Sequence, residues 1–592
     1  LRGFDLEQMV LTWLSLTFLM VPGQPPIIIT MALALAAFEL ARKHVIVSRL
    51  RGAETLGSVT TILSDKTGTM TRNDMALTSI VLGDGEVFDW EAREGNSQAW
   101  EAFLRDASPA VPEYSRNPTD RAVAEAVETL QSSLSLEPGQ LVDQVGFACG
   151  EVYRSMTYEQ DGARRTYITG VPEFVIDRST CWQPIDQEAV PLDEDDRRVL
   201  KERIAAFASE GKRIAAYAYQ PSARTEEPSE LIFVGCAVLE DPLRPEVPAA
   251  VQRLREAGVR TVLVTGDNEG TARYVAEQVD LNASQALVGN EIASLTEAEL
   301  ERMVQDVSIF ARTTPKQKLR LVQALQRQDE VVAVTGDGVN DAPALRTAHV
   351  GVAMGETGTD VAREASDIVL TDDDFSHLPD GVSIGRKAYE NFHKGITYYL
   401  SAKVILLTAF LIPLIVGVPF PFAPIQIIAI ELLMDLASST IFISEEAEPG
   451  LMERGPRRRR RYLSRDAILR ILRNTVGPAV AILAAYFLSL AWGHSVQTAR
   501  TAAFATWLLG HIVLALNLKQ EKVPLLKQGL LSNRFGAGWL AGMIALVLLM
   551  TQVPFVQQAL QTTGLTGVQW VLVVSGALFG SLWIEVLKWI RS

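Results

Sequence analysis

Seven long apolar runs stand out along the chain, at Met9–Phe38, Ile396–Val418, Phe420–Ile443, Val476–Trp492, Ala502–Leu518, Gly536–Val553 and Val568–Ile590. Each is near or above the ~20 residues that span a hydrocarbon core as a helix, so the pattern predicts about seven transmembrane helices. A charged stretch from about 43 to 390 separates the first run from the second and has the mixed pattern of a soluble region. Within it three short apolar runs end alike. Thr60–Leu63 leads into Ser64-Asp65-Lys66-Thr67-Gly68-Thr69, Thr261–Val264 into Thr265-Gly266-Asp267-Asn268, and Val331–Val334 into Thr335-Gly336-Asp337-Gly338. Each reads as a buried parallel strand followed by a glycine-containing loop. Helical stretches such as Glu246–Ala257 and Lys316–Gln328 alternate with the later strands, which predicts a doubly wound sheet. Ligands bind such sheets at the carboxyl ends of the strands, so Asp65, Asp267 and Asp337 are expected to converge.

Between the first strand and the others lie about 160 residues, 77–238, with strand-like runs at Glu151–Thr157, Thr166–Thr169 and Leu231–Val234 and helical ones at Ala122–Leu130 and Arg197–Phe207. A second domain folded within the first is the simplest account. The expected class is α/β plus membrane α-helical. Its parts are a broken transmembrane helix (1–42), the first part of the doubly wound domain (43–76), an inserted α+β domain (77–238), the second part (239–390) and six further membrane helices (391–592).

Composition sharpens this picture. The 592 residues carry a net charge of −15, which excludes nucleic-acid binding as a global property. The basic run Arg457–Arg461 lies between two apolar runs, where the positive-inside rule explains it. That places the charged region, and the loop with Lys519, Lys522, Lys527 and Arg534, in the cytoplasm. The expectation is a multi-pass protein of the plasma membrane. Cys149, Cys181 and Cys236 have no metal-site spacing and read as ordinary interior residues. The first apolar run lacks the features of a signal peptide, and the chain opens at Leu1 almost inside it, so we expect a fragment of a longer protein.

The long motifs carry the chemistry. Asp65-Lys66-Thr67-Gly68-Thr69, Thr265-Gly266-Asp267 and Thr335-Gly336-Asp337-Gly338-Val339-Asn340-Asp341-Ala342-Pro343-Ala344-Leu345 together resemble the P-type cation-transporting ATPases, related to calcium, sodium/potassium and proton pumps. The shorter D-x-T pattern is shared by the wider haloacid-dehalogenase-like superfamily. A carboxylate is a usable nucleophile for phosphoryl transfer, and cations must neutralise the charge around it. The resemblance implies ATP and Mg²⁺ as cofactors and Asp65 as the phosphorylated residue. By the same resemblance Asp65, the Thr67 carbonyl and Asp337 would be the Mg²⁺ ligands, and Lys318, in Thr314-Pro315-Lys316-Gln317-Lys318, would contact the phosphoryl group. Thr265, Gly266 and Asp267 would lie beside that group, and Asn340 and Asp341 would support the metal site.

The insertion resembles the family's nucleotide-binding domain. Asn117-Pro118-Thr119-Asp120 and Gly170-Val171-Pro172-Glu173 match its motifs, so Thr119, Asp120 and Gly170 are nucleotide candidates. Thr69, Phe147, Arg154 and the Arg244 of Asp241-Pro242-Leu243-Arg244 join them. Thr169 departs from the pattern, which has a lysine there. The family's dephosphorylation loop, T-G-E-S, does not occur in this sequence. It belongs to an actuator domain expected upstream of Leu1.

In the first run, Val21-Pro22-Gly23-Gln24-Pro25-Pro26 would break a spanning helix and free carbonyls for an ion. Pro22 and Gln24 are therefore ion candidates, with Lys403, Glu431, Asp435 and His511. Ionisable groups at membrane depth are costly and usually functional. Glu431 and Asp435 are four residues apart and share a helix face. Gly23 and Leu406 replace carboxylates that calcium pumps use, and Lys403 brings a positive charge. The expected ion is therefore H⁺ or a monovalent cation, with Ca²⁺ as the alternative. A soluble phosphatase of the superfamily and an incomplete, non-pumping relative with a binding or regulatory role are the competing classes.

Overall fold

A computed structural model describes residues 17, 25–112, 114–115, 117–130, 139–146, 152–222, 228–431, 441–443, 445–456, 465–519, 524 and 534–591. The chain divides into two compact units, Thr60–Leu378 and Leu1–Val59 with Pro379–Ser592. Pro22, Gln24, Phe147, Cys149 and Asp435 lie outside the described residues.

In the first unit parallel strands run in the order Ile368–Leu370, Val350–Met354, Val332–Gly336, Thr61–Ser64, Arg260–Val264, Ile309–Ala311, Ala286–Val288. The strand Thr61–Ser64 is buried at every residue, as a strand covered on both faces must be. It is also the switch point of the topology, because later strands add to one side up to 311 and to the other from 332. Both neighbouring strands therefore end their carboxyl-terminal loops beside the residue after Ser64. The helix Pro315–Arg327 starts with a capping box between Thr314 and Gln317, which fixes its first turn and buries Lys318.

The insertion is a mainly antiparallel sheet in the order Val87–Asp89, Ala76–Val81, Leu231–Glu240, Arg213–Gln220, Ala163–Gly170, Tyr153–Gln160, Gln140–Val145. Its first and last long strands, Ala76–Val81 and Leu231–Glu240, are paired to each other. The chain thus enters and leaves this sheet side by side, and Thr71 bridges to Leu243 just outside. Helices Ser97–Ala107 and Pro118–Thr129 pack on one face, and Pro172–Arg178 and Glu194–Ser209 on the other.

Among the described residues of the second unit, four helices are long and apolar enough to cross a membrane: His377–Val416, Arg465–Ala491, Val496–Leu518 and Gly567–Ile590. Gly536–Gln552 and Pro554–Leu560, bent by 81°, make a fifth if taken as one span. The other two expected spans, Met9–Phe38 and Phe420–Ile443, fall partly outside the described residues, and Pro25–Ala41 is an apolar helix of 17 residues. The 40-residue helix His377–Val416 is about 60 Å long, twice the hydrocarbon thickness. Its first half is correspondingly polar, with Arg386, Lys387, Glu390 and Lys394. Gly477 and Gly580 let the helices Arg465–Ala491 and Gly567–Arg591 touch. A Cβ on Gly477 would lie 1.9 Å from the Gly580 carbonyl oxygen, the small-residue contact by which helices associate in lipid.

Candidate phosphorylation site

Asp65 follows the central strand directly and opens the tight turn Lys66–Met70, accepting a hydrogen bond from the Lys66 amide at 2.8 Å. Gly68 in that turn has φ 75°, and a Cβ there would fall 2.0 Å from Asp337 Oδ2. Only glycine allows both the left-handed backbone and the approach to Asp337. Asp337 follows the strand Val332–Gly336, and Asp341 sits four residues on, at the end of the single turn Val339–Asp341.

The Lys318 ammonium donates to Asp65 Oδ2 at 2.8 Å and to Asp341 Oδ1 at 2.7 Å. Burial pushes the Asp65 carboxyl up to about 7, with Lys318 opposing and Asp341 adding to the rise. Burial and Asp341 likewise raise Asp337 to about 6. Burial alone would lower Lys318, but Asp65 and Asp341 hold it above its ordinary value. This is the electrostatics of an acidic cluster short of positive charge. One oxygen from each of Asp65, Asp337 and Asp341 falls within 4.8 Å of the others. Hard carboxylate oxygens in that arrangement suit Mg²⁺, whose charge would reverse the upward shifts.

The third strand-end loop completes the site. Thr265 Oγ1 accepts from the Asp267 amide at 3.1 Å. The Thr265 carbonyl accepts from both the amide and the hydroxyl of Thr313 at 2.9 Å, so Gly266 is held in a fixed turn. Lys66, which the sequence reading passed over as a motif letter, is buried and pairs with Asp267 at 2.7 Å. The Thr67 hydroxyl donates to Asp267 at 3.4 Å. Asn340 is exposed next to Asp341, while the Thr69 hydroxyl is buried with no hydrogen-bond partner among the described residues.

The nucleotide candidates are placed differently. Asp120 and Arg154, 3% and 5% exposed, form a bidentate pair at 2.8 Å. Arg154 also donates to the Ala110 carbonyl and Ser115 to Asp120. Their charged atoms are spent on each other inside the sheet domain. Thr119 is the residue whose amide the Asn117 cap receives at 3.0 Å. Gly170 lies opposite Tyr153 and Ala216, where a Cβ would meet the Val152 carbonyl at 2.7 Å. Thr169 is buried opposite Arg154 and Tyr217. Arg244 directs its guanidinium at the Thr71 and Gly68 carbonyls, 3.2 and 3.4 Å away.

In the membrane unit Lys403 is ion-paired with Glu431, and its ammonium lies 5.0 Å from the Tyr399 ring centroid. His511 is fully buried, stacked on Trp507 at 3.5 Å, and hydrogen-bonded through Nδ1 to the Trp507 carbonyl. That is the setting of a packing histidine as much as of an ion ligand.

Known families match these two regions. Residues 59–349 match the haloacid dehalogenase-like hydrolase family and residues 419–590 the C-terminal region of cation-transporting ATPases. A calcium-transporting ATPase of Bacillus subtilis is 30% identical over 97% of this chain and 68% of its own length. Calcium-transporting ATPase 1 of Schizosaccharomyces pombe is 30% identical over the whole chain and 69% of its own length. That of Yarrowia lipolytica is 31% identical over 95% of the chain and 65% of its own length. The chain thus spans about two thirds of the length of such relatives. With the aspartate–lysine cluster at the switch point of the sheet, these matches show that the chain belongs to the P-type cation-transporting ATPases.

Proposed function

We propose that this chain is the catalytic and membrane part of an ATP-driven cation pump working through an acyl phosphate formed on Asp65. The observation that carries the reading is the Asp65 carboxylate at the switch point, 2.8 Å from Lys318 and beside Asp337 and Asp341. An Asp65 oxygen attacks the γ-phosphorus of ATP, the bond from phosphorus to the bridging oxygen breaks, and ADP leaves with the electron pair. Lys318 offsets charge on the incoming phosphoryl group, and the fixed Thr265–Gly266 turn offers it donors. Asp65 and Asp337 would hold Mg²⁺, which neutralises phosphate charge during transfer. Labelled ATP should give an acid-stable, hydroxylamine-sensitive label that Asp65→Asn abolishes. A variant that labels like the wild type would sink the assignment.

For the ion, the relatives' names favour calcium over the proton or monovalent cation expected from the sequence, and calcium is the ion we propose. One observation favours the earlier reading: Lys403 neutralises Glu431, a carboxylate that a divalent ion would need. ATP-dependent uptake of radioactive calcium at micromolar concentration, lost in Glu431→Gln, is the expected result. Vesicle acidification without calcium uptake would return the proton reading. We further propose the plasma membrane as its location, with the nucleotide and phosphorylation residues in the cytoplasm, from the positive-inside pattern.

A further inference from the structure

We propose that Asp373 is a positioning residue for the phosphorylation site, acting with Arg244 as a strut between the two loops that flank the acidic cluster. The inference rests on the pump reading above. Asp373 lies 32 residues beyond Asp341, outside the motifs singled out in the sequence, within the run Thr371-Asp372-Asp373-Asp374. It is 2% exposed and holds a left-handed backbone, φ 56°, which an aspartate adopts at a cost.

Its carboxylate is fully used. Oδ1 accepts the amides of Gly355 at 2.7 Å and Glu356 at 3.0 Å. Oδ2 accepts the amide and the hydroxyl of Thr357 at 2.9 and 2.7 Å. The loop so gathered continues to Thr359, whose amide and hydroxyl donate to the Asp337 carbonyl at 2.8 and 3.2 Å. On the other side Asp373 Oδ2 is 3.6 Å from the Arg244 guanidinium. Arg244 grips the carbonyls of Gly68 and Thr71, and its amide donates to the Met70 carbonyl at 2.9 Å. One buried carboxylate thus ties the turn after Asp65 to the loop that holds Asp337. Because Gly68 packs directly on the Asp337 carboxylate, a slip of either loop moves the two proposed metal ligands against each other. The same geometry gives Arg244 a bracing role instead of a contact with nucleotide phosphate.

Outer groups that orient metal ligands change metal affinity without touching the metal. The test uses the full-length protein with Asp373→Asn, Arg244→Met and the double variant. Wild-type labelling from ATP, sensitive to hydroxylamine and lost in Asp65→Asn, first establishes the reading on which the proposal rests. If the wild type does not label, that reading and this one fall together. Mg²⁺ is then titrated against thermal stability without nucleotide, and separately against phosphoenzyme formed. Each single variant should raise the Mg²⁺ midpoint roughly tenfold in both titrations, and the double variant should add nothing further. Arg244→Met leaves all four loop bonds of Asp373 in place, so it decides the matter should Asp373→Asn fail to fold. Lower melting temperatures with unchanged Mg²⁺ midpoints would overturn the proposal, leaving Asp373 a brace of its own loop. An Arg244→Met effect confined to ATP concentration, with the nucleotide-free midpoint unmoved, would also overturn it.

Discussion

Asp65, the nucleophile proposed above, is a carboxyl group whose environment works against its charge. Without a divalent cation its folded-state value is about 7, against about 3.9 in an unfolded chain. A raised value means that the group's contribution to stability is fully present below about pH 4 and lost as pH rises through about 7. Asp65→Asn cannot ionise, so in Mg²⁺-free buffer at pH 8 it should melt above the wild type. The difference is at most about 4 kcal/mol and should vanish toward pH 4. Added Mg²⁺ should stabilise the wild type more than the variant. A melting difference that ignores pH would show that burial of Asp65 is not the cause. At this scale much was legible: Asp65, Lys318, Asp337 and Asp341 all stand in motifs and all meet in space. Lys66 was missed because no spacing signals that it faces Asp267, and Asp373 because its partners are backbone amides from a distant loop.

Among the elements, two glycines decide how closely others approach. Gly68→Ala adds a Cβ at φ 75° against Asp337 Oδ2, a left-handed strain of about 1 kcal/mol plus a clash. Phosphoenzyme should fall at least about tenfold at limiting Mg²⁺, since a 1.4 kcal/mol loss is already tenfold. Normal phosphorylation in this variant would mean that the turn is free to move. Gly477→Val would drive a side chain into the Gly580 carbonyl. Overpacking of this kind costs about 1–3 kcal/mol, read as a lower melting temperature of the detergent-solubilised protein. An unchanged melting temperature would remove the close helix contact. The strands and helices were legible from period and apolar runs, although the structure lengthens several. Tyr153–Gln160 and Ala163–Gly170 extend past the expected runs because polar residues continue a strand once a neighbour supplies hydrogen bonds.

At the scale of the whole molecule, the pairing of Lys403 with Glu431 bears on the ion proposed above. Both are largely buried in the bundle, where losing one partner leaves an uncompensated charge. Lys403→Met should therefore lower thermal stability by about 3–5 kcal/mol, and Lys403→Met with Glu431→Gln should recover most of it. A double variant no better than the single would show that the two residues do not act as a pair. The sequence by itself determined the family, because hydropathy marks the membrane segments and the long motifs carry Asp65, Lys318 and their acidic neighbours, which the structure brings together. It also determined the doubly wound class, since a switch of period from strand to helix is a local signal. Only the tertiary structure decided where the nucleotide candidates are placed. Asp120 and Arg154 form a buried pair and Arg244 turns to the Gly68 and Thr71 carbonyls, because a charged side chain taken out of water joins whichever opposite charge or carbonyl the fold brings within reach.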